Sequence, residues 1–281
     1  MNTWNGAAPP PRAARIGVAG WLRIVLKGGV LGLVTYGGLV LLLALRLFER
    51  PLFGLRRPMT PWITQFVCKL AFAILGIRHG IRGRPMDGRG AIVANHASWL
   101  DIFALNACDR IYFVAKSEVA GWPGIGWLAR ATGTVFIRRK GSDAKLQQQI
   151  FEARLRAGHR LLFFPEGTSS DGLRVLPFKS TLFAAFYAHG LDEIVSIQPV
   201  TVVWTAPEGE HSAAYGWWGD MDFGSHFLWV LSRPRQGSVE VVFHEPLAVS
   251  DFASRKELAA ACEAAVRSGM PPASADPALV D

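Results

Sequence analysis

Cysteine is scarce in this chain: there are three in 281 residues, Cys68, Cys108 and Cys262, odd in number and far apart. That pattern offers neither a disulfide framework nor a cysteine metal cluster, and it fits small apolar side chains in a reducing compartment. Zinc-finger spacing, an RNA-binding aromatic motif and internal repeats are all missing, and the arginines are dispersed rather than gathered on one stripe. Nucleic acid is therefore not the expected partner. The balance of 30 Lys plus Arg against 22 Asp plus Glu still favours an anionic one, and anionic lipid or a phosphorylated substrate remains.

What the chain does contain is one long apolar run. Residues 28–45 carry no charge over eighteen positions, which as a helix would reach roughly 27 Å, close to the hydrocarbon thickness of a bilayer. A signal peptide is the counter-reading, since Arg12, Arg15, Arg23 and Lys27 precede the run. However, Arg46, Glu49 and Arg50 follow it where a small-residue cleavage site would stand. Basic residues flank both ends, so charge assigns no orientation. A second apolar segment, residues 62–77, is broken by Gln65 and Lys69 and reads as an amphipathic helix lying in the interface, with an ordinary core helix as the alternative. The expected organisation is a disordered lead-in over 1–22, a membrane anchor and interfacial helix over 23–77, a folded domain over 78–268 and a disordered Pro- and Ala-rich tail over 269–281.

Within the folded domain, short β-branched and aromatic runs recur at 91–94, 111–115, 134–137, 161–164, 195–203 and 239–243, separated by helical stretches. This alternation predicts an α/β fold, a mixed and largely parallel sheet flanked by helices. The clearest helix spans 143–157, with Leu146, Ile150 and Ala153 as its apolar stripe and a solvated polar face. Another begins after Ser254, where Ser254 and Glu257 have capping-box spacing.

Four segments stand at the ends of expected strands. In Asn95-His96-Ala97-Ser98-Trp99-Leu100-Asp101, a histidine and a carboxylate five residues apart are the ingredients of a general base and its orienting partner, provided that His96 lies ahead of the helix. A capped surface turn is the plain alternative. Residues 133–140 end in Arg138-Arg139-Lys140, which offers cations to a phosphate or carboxylate or forms a solvated cluster. Phe164-Pro165-Glu166-Gly167-Thr168-Ser169-Ser170 describes a tight loop after a strand, where ligands of α/β sheets bind. Pro199, inside a strand-like run, implies an edge, a bulge or a strand start. The aromatic-rich stretch from Trp204 to Trp229 suits either a membrane interface or core packing.

Together, in this order and behind an apolar N-terminus, the four segments resemble the glycerolipid acyltransferase family, with its NHxxxxD and FPEGT motifs, over roughly residues 78–246. The resemblance implies a glycerol-3-phosphate acyltransferase-like fold and an O-acyltransferase in which His96 is the general base and Asp101 orients it. Arg139, Glu166 and Gly167 would hold the acceptor head group, with Thr168 in the same block and Lys116 as added positive charge. It implies a lysolipid acceptor, acyl-CoA or an acyl carrier protein as thioester donor, no metal and no other cofactor, and a place at the bacterial inner membrane with the site on the cytoplasmic side. The leading acceptor is 1-acylglycerol-3-phosphate, giving phosphatidic acid. Many members that make it continue FPEGT with an arginine where this chain has Ser169, so lyso-ornithine lipid, whose head group is an amino acid, is the alternative. A non-catalytic lipid-binding protein is the rival from a different class. A covalent route through Ser98 is disfavoured, because no G-x-S-x-G elbow is present.

Overall fold

Gly90–Ala94 forms strand β2, and its residues are buried on both faces, which only the centre of a doubly covered sheet provides. The computed structural model describes residues 4–6, 15–88, 90–137, 144–187 and 190–272. In chain order the helices are α1 (Val18–Phe53), α2 (Thr60–Leu75), α3 (Asp101–Cys108), α4 (Ile125–Thr132), α5 (Ala144–Arg156), α6 (Phe223–Ser232) and α7 (Arg255–Ser268). The other strands are β1 (Arg78–Arg82), β3 (Ile111–Lys116), β4 (Val135–Ile137), β5 (Arg160–Phe163), β6 (Ser196–Thr205), β7 (Ser238–Phe243) and β8 (Leu247–Ala248). The sheet runs β1-β7-β6-β2-β5-β3-β4, with β8 beside the start of β6. The pairs β6·β7 and β6·β8 are antiparallel and all others parallel.

Alternate residues of the strands feed two cores, as the period of two requires. Ile92, Leu162, Val200 and Val202 join α1, α2, α3 and α6 on one face. Ala91, Val93, Leu161 and Phe163 meet α5, α7 and the 3-10 turn Ser180–Tyr187 on the other. The cysteines are all free, Cys68 and Cys262 buried and Cys108 half-buried.

Some expectations change. Helix α1 begins at Val18, inside the expected lead-in, and residues 4–6 lie against the domain. Of the tail expected to be disordered over 269–281, Gly269 N and Met270 N bond to Val266 O and Arg267 O at the end of α7 and Met270 packs against the core, while 273–281 lie outside the described residues. In α5 the inward face carries Phe151 and Leu155, while Ile150 and Ala153 point outward. Phe151 packs edge-on against Phe186, 5.3 Å between centroids, and burying that ring outweighs burying the smaller stripe. Proline at 199 sits within a central strand. Its carbonyl accepts from His244 N at 3.0 Å on the β7 side, where β8 pairing ends at Ile197 and β7 pairing begins at Val200. The missing N–H thus falls in the gap between two partners and costs no ladder bond.

Helix α2 is partly a core helix: Cys68, Ala71, Phe72 and Leu75 face inward, whereas Trp62 and Phe66 are exposed. Helix α1 lies along the domain against α2 and α6. A Cβ built on Gly38 would come within 2.6 Å of Val67, and one on Gly28 within 3.4 Å of Leu231, so both glycines mark close approaches. The buried carboxylate of Glu49 ties the α1–α2 hairpin by accepting from Met59 N, Thr60 N and Thr60 Oγ1 at 2.7, 3.1 and 2.6 Å.

Candidate active site

The parallel strands β2, β5, β3 and β4 all point their C-terminal ends to one edge of the sheet, and the loops that follow them meet there. At the end of β2, Asn95 fastens the chain to β6: its Nδ2 donates to Val202 O at 2.9 Å and its Oδ1 accepts from Val202 N at 2.8 Å. The backbone then turns through His96 before α3 starts at Asp101, so His96 stands ahead of the helix.

His96 Nδ1 lies 2.8 Å from Asp101 Oδ2. The same oxygen accepts from Ala97 N at 2.7 Å and Ser98 N at 2.9 Å, and Oδ1 accepts from Trp204 Nε1 at 2.7 Å. A carboxylate held by these donors accepts from the imidazole as well, so Nδ1 carries the proton and Nε2 keeps its lone pair. Asp101 is fully buried, whereas the His96 side chain is 19% exposed. The imidazole is reachable and its partner is not.

Phe164, the first residue of the FPEGT block, stacks on the His96 ring with centroids 3.9 Å apart and planes 11° apart, fixing the plane of the imidazole. The loops on either side hold the turn by its backbone: Ser170 N donates to His96 O at 2.8 Å and Trp217 N to Ala97 O at 2.7 Å. Gly167 adopts φ +72°, a left-handed conformation that favours glycine, and the Lys179 side chain lies against it.

The remaining sequence-derived residues fall in different places. Glu166 is 2% exposed, and neither carboxyl oxygen has a hydrogen-bond partner among the described residues. Burial raises its pKa to about 9; the backbone N–H groups of His96 and Leu176 offset part of the desolvation, and Asp101 adds to it. The Glu166 carboxyl is thus buried and not presented at the surface of the loop, where the resemblance implies a contact with the head group. Thr168 sits at the loop surface, where its Oγ1 accepts from Trp4 N at 3.4 Å. Lys116 ends β3, two strands from β2 on the same sheet edge and so roughly 10 Å across. Arg139 lies outside the described residues, as does Arg138. Ser98 is fully buried, unlike the partly exposed His96.

Sequence reasoning missed Trp204 and Phe164 as partners of the pair. Trp204 lies in an aromatic-rich stretch that suits a membrane interface or a core equally, and nothing local connects it to a residue 103 positions earlier. Trp204, Tyr215 and Trp229 are core residues, while Trp217, Phe223 and Phe227 are half-buried around Trp99 and the His96 turn. His226 accepts from Trp99 Nε1 through Nδ1 at 2.9 Å and donates through Nε2 to Ala214 O at 3.2 Å. Burial lowers its pKa to about 4, so it is a neutral spacer rather than a second base. Three backbone N–H groups beside the pair are already engaged: Ala97 N and Ser98 N by Asp101, and Gly167 N by Phe164 O at 3.0 Å.

Comparison with known proteins follows the same lines. A family model described as Acyltransferase matches residues 78–203. The chain is 65% identical over 267 residues to a lyso-ornithine lipid O-acyltransferase of Rhodobacter capsulatus, covering 95% of this chain and 96% of that one. It is 41% identical over 116 residues to a 1-acyl-sn-glycerol-3-phosphate acyltransferase of Neisseria gonorrhoeae, covering 41% of this chain and 45% of that one. The fold matches the crystal structure of the 1-acyl-sn-glycerophosphate acyltransferase PlsC from Thermotoga maritima with a TM-score of 0.63 at 24% identity, over 90% of this chain and 95% of that one.

Proposed function

Since the chain belongs to the glycerolipid acyltransferase family, we propose that it transfers an acyl group from a thioester to the hydroxyl of lyso-ornithine lipid. This reverses the order of acceptors that the sequence motifs favour. One observation carries the choice: the 65% identity to a lyso-ornithine lipid O-acyltransferase extends over nearly all of both chains, whereas the match to the phosphate-using enzyme covers less than half of either. Ser169, standing where many phosphatidate-forming members have arginine, supports the same reading.

In the proposed reaction the acceptor hydroxyl lies against His96 Nε2. Its oxygen attacks the thioester carbonyl carbon while its proton passes to Nε2; the tetrahedral intermediate then collapses with cleavage of the C–S bond, and the proton returns to the departing thiolate. Asp101 keeps Nδ1 protonated and supports the imidazolium, Phe164 holds the ring plane, and Trp204 with the two backbone donors keeps Asp101 from rotating. The donor is an acyl-CoA or an acyl carrier protein thioester. Lysolipid reaches the site from the membrane against which α1 and the outer face of α2 rest, at the cytoplasmic face of the bacterial inner membrane.

The test is an acyltransfer assay offering lyso-ornithine lipid and 1-acylglycerol-3-phosphate side by side. Acylation of the first is expected, with His96→Ala reducing the rate about a hundred- to ten-thousand-fold and Ser98→Ala largely sparing it. Robust use of the phosphate acceptor alone would overturn the acceptor reading. Unchanged turnover in His96→Ala would overturn His96 as the general base, and a wild type that acylates neither acceptor would return the chain to the class of lipid-binding proteins.

A further inference from the structure

Beside the His96 turn lies a group of side chains that the proposed reaction leaves without a task. Residues 4–6 run over the loop that follows Gly167: the Trp4 N–H reaches Thr168 Oγ1 at 3.4 Å, and the Trp4 ring lies 6.1 Å from that of Trp218, tilted by 50°. The guanidinium carbon of Arg174 sits 5.6 Å from the centroid of the Trp4 ring. Asp171 grips that guanidinium from its edge, accepting from Nε at 3.0 Å and 3.3 Å. Neither Nη group of Arg174 has a partner among the described residues, and its side chain is 41% exposed. Trp218 is only 5% exposed, and its indole N–H is likewise without an acceptor among them.

This group adjoins the chemistry. Ser170, one residue before Asp171, donates to the His96 carbonyl, and a Cβ on Gly172 would meet the Ala97 side chain at 3.1 Å. An arginine held along one edge by a carboxylate and covered on one face by an indole has already lost most of its rotamer freedom. What it has left to offer is the Nη fork, whose spacing matches the two oxygens of a carboxylate. Asp171 also balances its charge, so the pair suits a head group that brings both a carboxylate and an ammonium rather than a phosphate of net negative charge. An amino-acid head group brings both.

We propose that Arg174, held by Asp171 and covered by Trp4, receives the carboxylate of the acceptor's amino-acid head group and thereby sets acceptor choice. The inference rests on the lyso-ornithine reading above and names the residues that would execute it. Trp4 and Arg174 act on binding, not on the proton transfer at His96, so their loss should appear in KM.

The experiment uses the full chain with a fixed acyl-CoA donor and three acceptors: lyso-ornithine lipid, its analogue with the head-group carboxylate converted to a primary amide, and 1-acylglycerol-3-phosphate. Wild type should prefer the carboxylate over the amide. Arg174→Ala should raise apparent KM for lyso-ornithine lipid by about tenfold or more, with kcat little changed, and should abolish that preference. Trp4→Ala should move KM in the same direction by a smaller factor, and Trp4→Phe should restore it. Thermal unfolding checks that each variant is folded, and Arg174→Lys serves if Arg174→Ala is not. An Arg174 variant that is folded and keeps the wild-type preference for the carboxylate overturns this inference alone. A wild type that acylates only 1-acylglycerol-3-phosphate overturns the acceptor reading on which it rests.

Discussion

Glu166 is a buried carboxyl group with no hydrogen-bond partner at either oxygen among the described residues, and its burial favours the protonated form. Its folded pKa of about 9 against an ordinary 4.5 has a definite consequence for stability. Across the window between those values the folded chain keeps a proton that the unfolded chain has released. The stabilisation linked to that proton is therefore complete below about pH 4.5, declines as pH rises, and is gone above about pH 9. Glu166→Gln mimics the protonated acid in shape and should remove the dependence. Denaturant melts at pH 5, 7 and 9 should show wild type losing stability relative to Glu166→Gln, by up to about 1.4 kcal/mol per pH unit in mid-window. Parallel pH profiles for the two proteins would mean that Glu166 is ionised in the fold. Asp101, also buried, differs: it is met by two backbone N–H groups, an indole and an imidazole, whereas the N–H groups of His96 and Leu176 offset only part of the desolvation of Glu166.

At the scale of elements, the orientation of α5 shows packing overriding pattern. Counting apolar residues at helical spacing selects Leu146, Ile150 and Ala153, yet the helix turns Phe151 and Leu155 to the sheet. The reason lies in the 3-10 turn opposite, where Phe183 and Phe186 form an aromatic layer with Phe163 that receives the Phe151 ring. Phe151→Ala should accordingly cost about 3–5 kcal/mol of stability and Ile150→Ala well under 1 kcal/mol, measured by chemical denaturation. The reverse ranking would restore the stripe expected from spacing. Strand β1 teaches the same lesson from the other side. Arg78-His79-Gly80-Ile81-Arg82 has no apolar alternation to predict a strand, but it pairs in parallel with β7 at the sheet edge, where exposed Arg78 and Arg82 discourage further pairing.

For the whole molecule, the unresolved balance is between the apolar surface of α1 and the domain beneath it. Helix α1 is long and apolar enough to cross a membrane, but its inner face is committed along much of its length to α2 and α6, while Trp21, Leu22, Val25, Leu26, Leu33 and Leu41 face outward. Trp62 and Phe66 of α2 are exposed as well, and side chains of this size cover far more surface than a soluble monomer leaves apolar without a partner. Placing Lys at Val25 and Leu33 together should weaken co-sedimentation with lipid vesicles at least about tenfold and leave the thermal midpoint unchanged, because neither side chain packs inward. Undiminished vesicle binding would show that this face does not meet the bilayer.

The parts of the protein that were legible in its sequence are those governed by short spacing. His96 and Asp101 are five residues apart, and helix geometry alone requires the histidine to precede the helix if the two are to pair; Ser254 and Glu257 are three apart, and their cap forms with Glu257 N 3.3 Å from Ser254 Oγ. Strand runs bounded by glycine and proline likewise announced the parallel sheet. What required the tertiary structure was every relation between distant segments: Trp204 donating to Asp101, Pro199 falling in the gap between β7 and β8, the inward face of α5, and Trp4 meeting Arg174 beside the His96 turn. Local chemistry fixes which residues a turn can bring together. Only the register of strands from across the chain decides which other turns stand next to it.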